Sequence, residues 1–193
     1  MARIKTFDES EILQKAVELF WKQGYSATSP QELVGAMGIS RSSLYNTYGD
    51  KKSLFLKALK RYVDTDTASF VSTLDSSNDA KTTIGNFLRS LITPKSLKTK
   101  PYGCFIINTN VEFSNYDREI QYVIDKNNKM IIEALSDLIA RSQIKNLISN
   151  KTPSNQLALF IYNNIIGIRV SIRSGISDNL LKSTIEIVLK ILN

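Results

Sequence analysis

Apolar residues recur at three- and four-residue intervals along most of this chain, the spacing that lines one face of an α-helix. Ile12, Leu13, Ala16, Val17, Leu19 and Phe20 form the first stripe. Asp8, with Glu11 three residues on, reads as its capping box, and Gly24 as its stop. Ser29-Pro30-Gln31-Glu32 is a second capping box, with proline at the first helical position, where its missing N–H costs nothing. Leu33, Val34, Ala36 and Met37 face inward from that short helix, and Gly38 ends it. Ile39 fills a turn. Ser40 caps a third helix, Arg41 to about Tyr48, which Gly49 breaks. Asp50 caps a fourth, running through Leu54, Phe55, Ala58, Leu59 and Tyr62 and as far as Leu74.

The same period continues downstream. A helix is predicted from Asp79 to Ile92, with Ile84, Phe87, Leu88, Leu91 and Ile92 on its apolar face. Residues 94–103 are rich in Pro and Lys and read as a connection. Further helices are expected from Cys104 to Phe113, from Asp117 to about Ser149, from Thr152-Pro153 to Gly175, and from Ser177 through Ile191. The β-branched runs Phe105-Ile106-Ile107 and Asn164-Ile165-Ile166 lie inside longer helical patterns, so no strand is expected.

Composition agrees with a helical globular protein. The 193 residues are 42% hydrophobic and 22% charged, with only 8 Gly and 4 Pro. No apolar run reaches the length of a membrane span, and no leader peptide is visible ahead of the first helix. There is one cysteine and no histidine. Ser-His-Asp and Cys-His catalysis, His-based zinc sites and four-Cys zinc sites are therefore excluded, and no metal or cofactor is expected. A single thiol also suits a reducing cytoplasm. The net charge of +7 is unevenly placed: residues 1–62 hold ten Lys/Arg against six Asp/Glu. A basic first third suggests a polyanionic partner, although a solubilising surface would look the same.

Short helix, Gly-containing turn and short helix at residues 30–48 have helix-turn-helix spacing, in which the second helix enters the major groove. Its exposed positions are expected to be Arg41, Ser42, Ser43, Tyr45, Asn46 and Thr47, with Leu44 and Tyr48 packed inward. This face carries no acid. Its hydroxyls permit close approach, Asn can read adenine and Arg can bond guanine or phosphate. The helix N-terminus adds a positive dipole end.

Residues 12–55 carry Glu18-Leu19-Phe20, Gly24-Tyr25, Thr28-Ser29, Ile39-Ser40-Arg41-Ser42-Ser43-Leu44-Tyr45, Tyr48-Gly49-Asp50-Lys51 and Leu54-Phe55 in order. This array resembles the DNA-binding domain of TetR-family regulators. The resemblance implies that Thr28 and Lys51 contact phosphate and that Ser43 and Tyr45 contact DNA from the recognition helix. Arg41, Ser42, Asn46 and Thr47 take the other groove-facing positions. Family members often carry glycine at the position of Ser42 and histidine at that of Asn46, so base preference does not carry over. The segment Tyr102-Gly103-Cys104-Phe105, with Asn108-Thr109 and Glu112-Phe113, resembles a branch of the family with Gly-Cys opening its sixth helix.

The expected fold is therefore all-α: an N-terminal helix-turn-helix three-helix domain, residues 1–48, plus a larger helical ligand-binding and dimerisation domain, residues 49–193. One such motif grips few phosphates and bases, and a two-fold dimer on a palindromic operator remedies that. Two stripes are candidates for the interface: Leu157, Ile161, Ile165, Ile168 and Ile172, then Leu181, Ile185, Val188, Leu189 and Leu192. They could equally face the subunit's own core. A ligand pocket is sought among Tyr62, Phe70, Cys104, Phe105, Asn108, Phe113, Tyr122 and Met130, each also a plausible core residue. Cys104 opens a helix, where the dipole favours a thiolate and oxidant or electrophile sensing, or it is a small buried hydrophobe.

The functional expectation is a ligand-responsive DNA-binding regulator, a repressor on double-stranded operator DNA, acting as a homodimer with a small-molecule effector. It is not expected to be an enzyme or a membrane protein. The alternatives are a helical protein–protein adaptor and a small-molecule carrier without DNA binding.

Overall fold

The computed structural model describes residues 9–99, 102–113 and 116–193. The Asp8 cap lies outside them. Among the described residues the order is α1 (Glu9–Gln23), α2 (Pro30–Met37), α3 (Arg41–Tyr48), α4 (Lys51–Tyr62), α5 (Ala68–Asp75), α6 (Ala80–Leu91), α7 (Pro94–Thr99), α8 (Phe105–Phe113), α9 (Arg118–Ile144), α10 (Ser154–Arg173) and α11 (Asp178–Leu189). These residues include no strand, so the all-α expectation holds.

The caps form where the side chains dictate. Ser29 and Glu32 close a reciprocal capping box on α2. Ser40 accepts from the Ser43 N–H at 3.0 Å, and Asp50 from the Ser53 N–H at 2.6 Å. Three differences from the periodicity have local causes. The helix starting at Asp50 does not run evenly to its end: a π-helical turn, Val63–Thr67, joins α4 to α5. That inserted turn buries Thr67, whose hydroxyl donates to Asn127 Oδ1 at 2.8 Å. The Pro- and Lys-rich connection contains α7, with the Thr93 hydroxyl accepting from the Ser96 N–H and Pro94 at its first position. Finally, α9 stops at Ile144. Asn146 turns left-handed (φ 55°), and the Gln143 amide donates to the carbonyls of Asn150 and Thr152, closing the return to α10.

Two apolar cores organise the molecule. The first joins α1–α4 through Phe20, Leu33, Met37, Leu44, Leu54 and Phe55, and is completed by Phe105 and Ile106 of α8 and Ile120 and Ile124 of α9. The second lies among α5, α6, α9, α10 and α11. The proposed interface stripes belong to it. Leu157, Ile161, Ile165 and Ile168 of α10, Leu181, Ile185, Val188 and Leu189 of α11, and Leu192 beyond it are buried within their own subunit, while Ile172 is half-buried against them. Side chains already removed from water in one chain have no surface left for a second copy, so this assignment is corrected. The outward faces of the same helices carry Phe160 and Val170 on α10 and Leu180 and Ile187 on α11, with Ile176 in the turn between.

Candidate nucleic-acid interface and ligand cavity

The outward face of α3 is built from its own N-terminus. The Ser40 hydroxyl that caps the helix lies 2.9 Å from the Ser42 hydroxyl and 2.8 Å from that of Ser43. Arg41, Ser42, Ser43, Tyr45, Asn46 and Thr47 are exposed, whereas Leu44 and Tyr48 are buried in the first core. The Arg41 guanidinium stands 5.8 Å from the centre of the Tyr45 ring. Hydroxyls, an amide, a phenol and a cation thus share one projecting rod with no carboxylate on it.

Lys51, at the start of α4, extends this face. Its ammonium sits 4.3 Å from the centre of the Tyr25 ring, an arrangement that holds a flexible cation in place. The ring itself packs edge-on against Phe55 and tilted against Phe113. Thr28 is placed differently from the expectation. It is only 1% exposed, and its hydroxyl donates to the Gly24 carbonyl at 2.6 Å. That hydroxyl ties the end of α1 to the start of α2 and does not face outward; the exposed hydroxyl at the mouth of α2 is that of Ser29.

Two anchors join this unit to the helices behind it, and neither was found by pattern reasoning. Glu112 of α8 accepts the N–H groups of Tyr25 and Ser26, at 2.8 and 2.6 Å. Gly24, with φ +85°, is what admits it: a Cβ there would lie 2.8 Å from Glu112 Oε2. Lys52 pairs with Asp117 at 2.7 Å and Glu119 at 2.9 Å, at the start of α9. The hydrogen bond from Lys52 holds the Asp117 carboxyl below its ordinary value, and the Lys52 ammonium is held above its own by Asp117 and then Glu119.

Behind the first core lies a cavity of about 570 Å³, walled by the π-helical turn and by α5, α6, α7, α9 and α10, with the start of α8. Of the residues among which a ligand pocket was sought, Tyr62, Phe70 and Cys104 line this cavity. The other expected residues do not. Phe105 and Phe113 belong to the first core, because the helical period turns them toward α4. Asn108 donates to the Tyr102 carbonyl at 2.8 Å. Tyr122 is 69% exposed on the outer face of α9, and Met130, half-buried on the same helix, is not part of the wall. The wall instead recruits Phe87, Ile131, Ile165, Ile172, Asn127 and Arg169. Arg169 carried a signal in the sequence, as a charge on the same arc of α10 as Ile165 and Ile172.

Polar groups in the wall are tied to one another. Tyr162 donates to Asn128 at 2.6 Å, Asn127 donates to the same oxygen at 3.3 Å, and Tyr62 donates to the Cys104 sulfur at 3.6 Å. Burial, then the neighbouring Cys104, pushes the phenols of Tyr62 and Tyr162 well above their ordinary range. Gly103 (φ +75°) lets the segment before Cys104 lie against α10, where a Cβ would meet the Arg169 carbonyl at 2.9 Å. Among the described residues no three His, Cys, Asp or Glu side chains are grouped to hold a metal, and no helix is long and apolar enough to cross a membrane.

Known proteins share this plan. Residues 12–58 match the family described as bacterial regulatory proteins, tetR family. The chain is 32% identical over 143 residues to the HTH-type transcriptional regulator YezE of Bacillus subtilis, covering 74% of each chain. It is 30% identical over 176 residues to the HTH-type transcriptional repressor ComR of Escherichia coli, covering 91% of this chain and 84% of that one. In three dimensions it resembles the TetR family regulator CifR, solved as a cysteine mutant with a 26-base-pair operator, with a TM-score of 0.85, 23% identity and coverage of 99% and 100%. It also resembles the reduced form of NemR of Escherichia coli, with a TM-score of 0.84, 17% identity and coverage of 95% and 96%. The sequence relatives carry the assignment and the fold agrees with it: the chain belongs to the tetR family of bacterial regulatory proteins and is a helix-turn-helix transcriptional regulator.

Proposed function

We propose that this regulator is a repressor that binds a palindromic operator as a homodimer and releases it when a small molecule enters the cavity. The observation that carries the reading is the acid-free outward face of α3, Arg41 to Thr47, beside the fastened cation of Lys51. Residues 1–48 serve as the DNA-reading unit and residues 49–193 as the regulatory and dimer-forming body. The naming of ComR as a repressor and the operator complex of CifR support this reading by analogy.

Dimerisation is assigned to the outward apolar stripe of α10 and α11. Leu180 and Ile187 lie seven residues apart, hence on one face of α11, and are 61% and 66% exposed. Exposed apolar side chains at helical spacing on adjacent helices are what a self-complementary four-helix interface requires.

Release follows from the position of α8. Ile106 and Ile107 in its first turn line the cavity, and Glu112 near its end holds the turn between α1 and α2. A ligand that favours a displaced α8 shifts the population toward a state in which the two α3 rods no longer match successive grooves. A gel-shift titration on DNA from upstream of its own gene tests the reading. Salt-sensitive, sequence-specific retardation is expected. Its absence at low salt, with the protein folded, would overturn it.

A further inference from the structure

The cavity wall contains a guanidinium with no carboxylate at ion-pair distance among the described residues. Arg169 lies on the arc of α10 that also presents Ile165 and Ile172 to the cavity. Its guanidinium stands 5.7 Å from the centre of the Phe87 ring, beside the Tyr62 phenol. Among the described residues no carboxylate comes within ion-pair distance of it. Asp66 is the wall's carboxylate, and it accepts the Thr65 hydroxyl at 3.2 Å; Lys95 and Arg169 are its two cations.

A guanidinium remains charged under all ordinary conditions and offers five N–H donors in a planar fork. Holding it half out of water against aromatic and aliphatic carbon is costly unless an anion faces it. The neutral groups nearby do not meet that need. Asn127, Asn128, Thr67 and Tyr162 are bonded to one another, and the Tyr62 phenol, set between Arg169 and Cys104, brings an acceptor but no negative charge. The remaining wall is apolar: Phe70 and Phe87 are stacked at 3.7 Å between ring centres, and Leu91 and Ile131 extend the same surface. A cationic ligand would meet two cations against one anion. A small anion without an apolar body would leave most of a 570 Å³ space unfilled.

We propose that the cavity takes a small organic carboxylate with an apolar body, its carboxylate forked onto Arg169 and its body laid along the Phe70–Phe87 wall. Bidentate geometry gives such a pair its selectivity over a neutral isostere. The proposal rests on the reading of this cavity as the effector site, so the experiment separates the two.

Calorimetric titration of the full-length protein with 2-naphthylacetate and with 2-naphthylacetamide tests the ligand class, with octanoate and octanamide as an aliphatic pair. Each acid is expected to bind at least tenfold more tightly than its amide, and Arg169→Gln is expected to erase that preference while Arg169→Lys keeps part of it. Acid and amide binding equally, no saturable binding of either acid, or an acid preference that survives in Arg169→Gln would overturn the proposal. The comparison within each pair uses the unaltered protein, so it holds even if a variant folds poorly. Fluorescence anisotropy of labelled upstream DNA, with and without the acid, reports on the effector reading separately. An acid that binds and leaves the DNA complex intact overturns that reading and keeps the ligand class. An intact DNA complex with no acid binding overturns the ligand class alone.

Discussion

Glu112 accepts the backbone N–H of Tyr25 at 2.8 Å, across 87 positions of chain. Its second oxygen takes the next N–H, that of Ser26, at 2.6 Å. One carboxylate on α8 thus closes the turn that leads into the DNA-reading helices. Removing it strands a partly buried donor, which costs about 1–3 kcal/mol. Glu112→Ala is therefore expected to lower the unfolding free energy by that amount, read as a lower urea midpoint at unchanged slope, and to weaken DNA binding, with Glu112→Gln falling between. An unchanged midpoint in Glu112→Ala would show that the contact does not hold the turn.

Tyr45 and Lys51 are assigned different parts at the interface. Tyr45 projects from the middle of α3, and Lys51 is a cation held over the Tyr25 ring. Tyr45→Ala is expected to cost about tenfold or more in affinity and to blur sequence preference. Lys51→Ala is expected to weaken binding to all sequences alike and to reduce the salt slope by about one. Anisotropy titrations at several salt concentrations distinguish the two, and native mass spectrometry checks that the subunit count is unchanged.

The buried and outward faces of α11 make opposite demands. Ile185 is fully buried, and Ile185→Ala is expected to cost about 2–5 kcal/mol of subunit stability. Ile187, two residues away, is 66% exposed, and Ile187→Glu is expected to leave the fold intact and yield monomers. Light scattering after size exclusion reads the mass. A dimer that tolerates a glutamate at this position would place the interface elsewhere.

Acid sensitivity should reach the link between α4 and α9. Asp117 is held below its ordinary value mainly by its hydrogen bond from Lys52. A carboxyl that is more acidic in the folded chain adds stability above its unfolded value, about pH 4, and loses it as pH falls through the lower folded value. Lys52 behaves in the opposite sense. Its folded value is raised, so its contribution is full below the unfolded value, about 10.4, and fades only as pH rises beyond it. Asp117→Asn keeps a cap acceptor for α9 but removes the charge, so its urea midpoint is expected to fall less steeply than that of the unaltered chain below about pH 4. Because Lys52 is well exposed, added salt should shrink the difference.

Local chemistry was legible in the chain by itself. Ser29-Pro30-Gln31-Glu32, Ser40 and Asp50 start helices because the capping oxygen and the N–H it satisfies are three residues apart, and Leu44 and Tyr48 turn inward because the period is fixed. The same period showed that Leu181 and Ile185 are covered, but not by what. A buried stripe looks identical whether the cover is another helix or another copy, and only the packing of α10 and α11 onto α6 and α9 decided for the subunit's own core. Tertiary structure also decided that Phe105 and Phe113 serve the first core while Phe87 and Arg169 line the cavity, and that Glu112 reaches Tyr25. Helix starts depend on neighbours within one turn of chain. A cavity wall or a bridge between helices depends on which distant turns the cores bring to the same place.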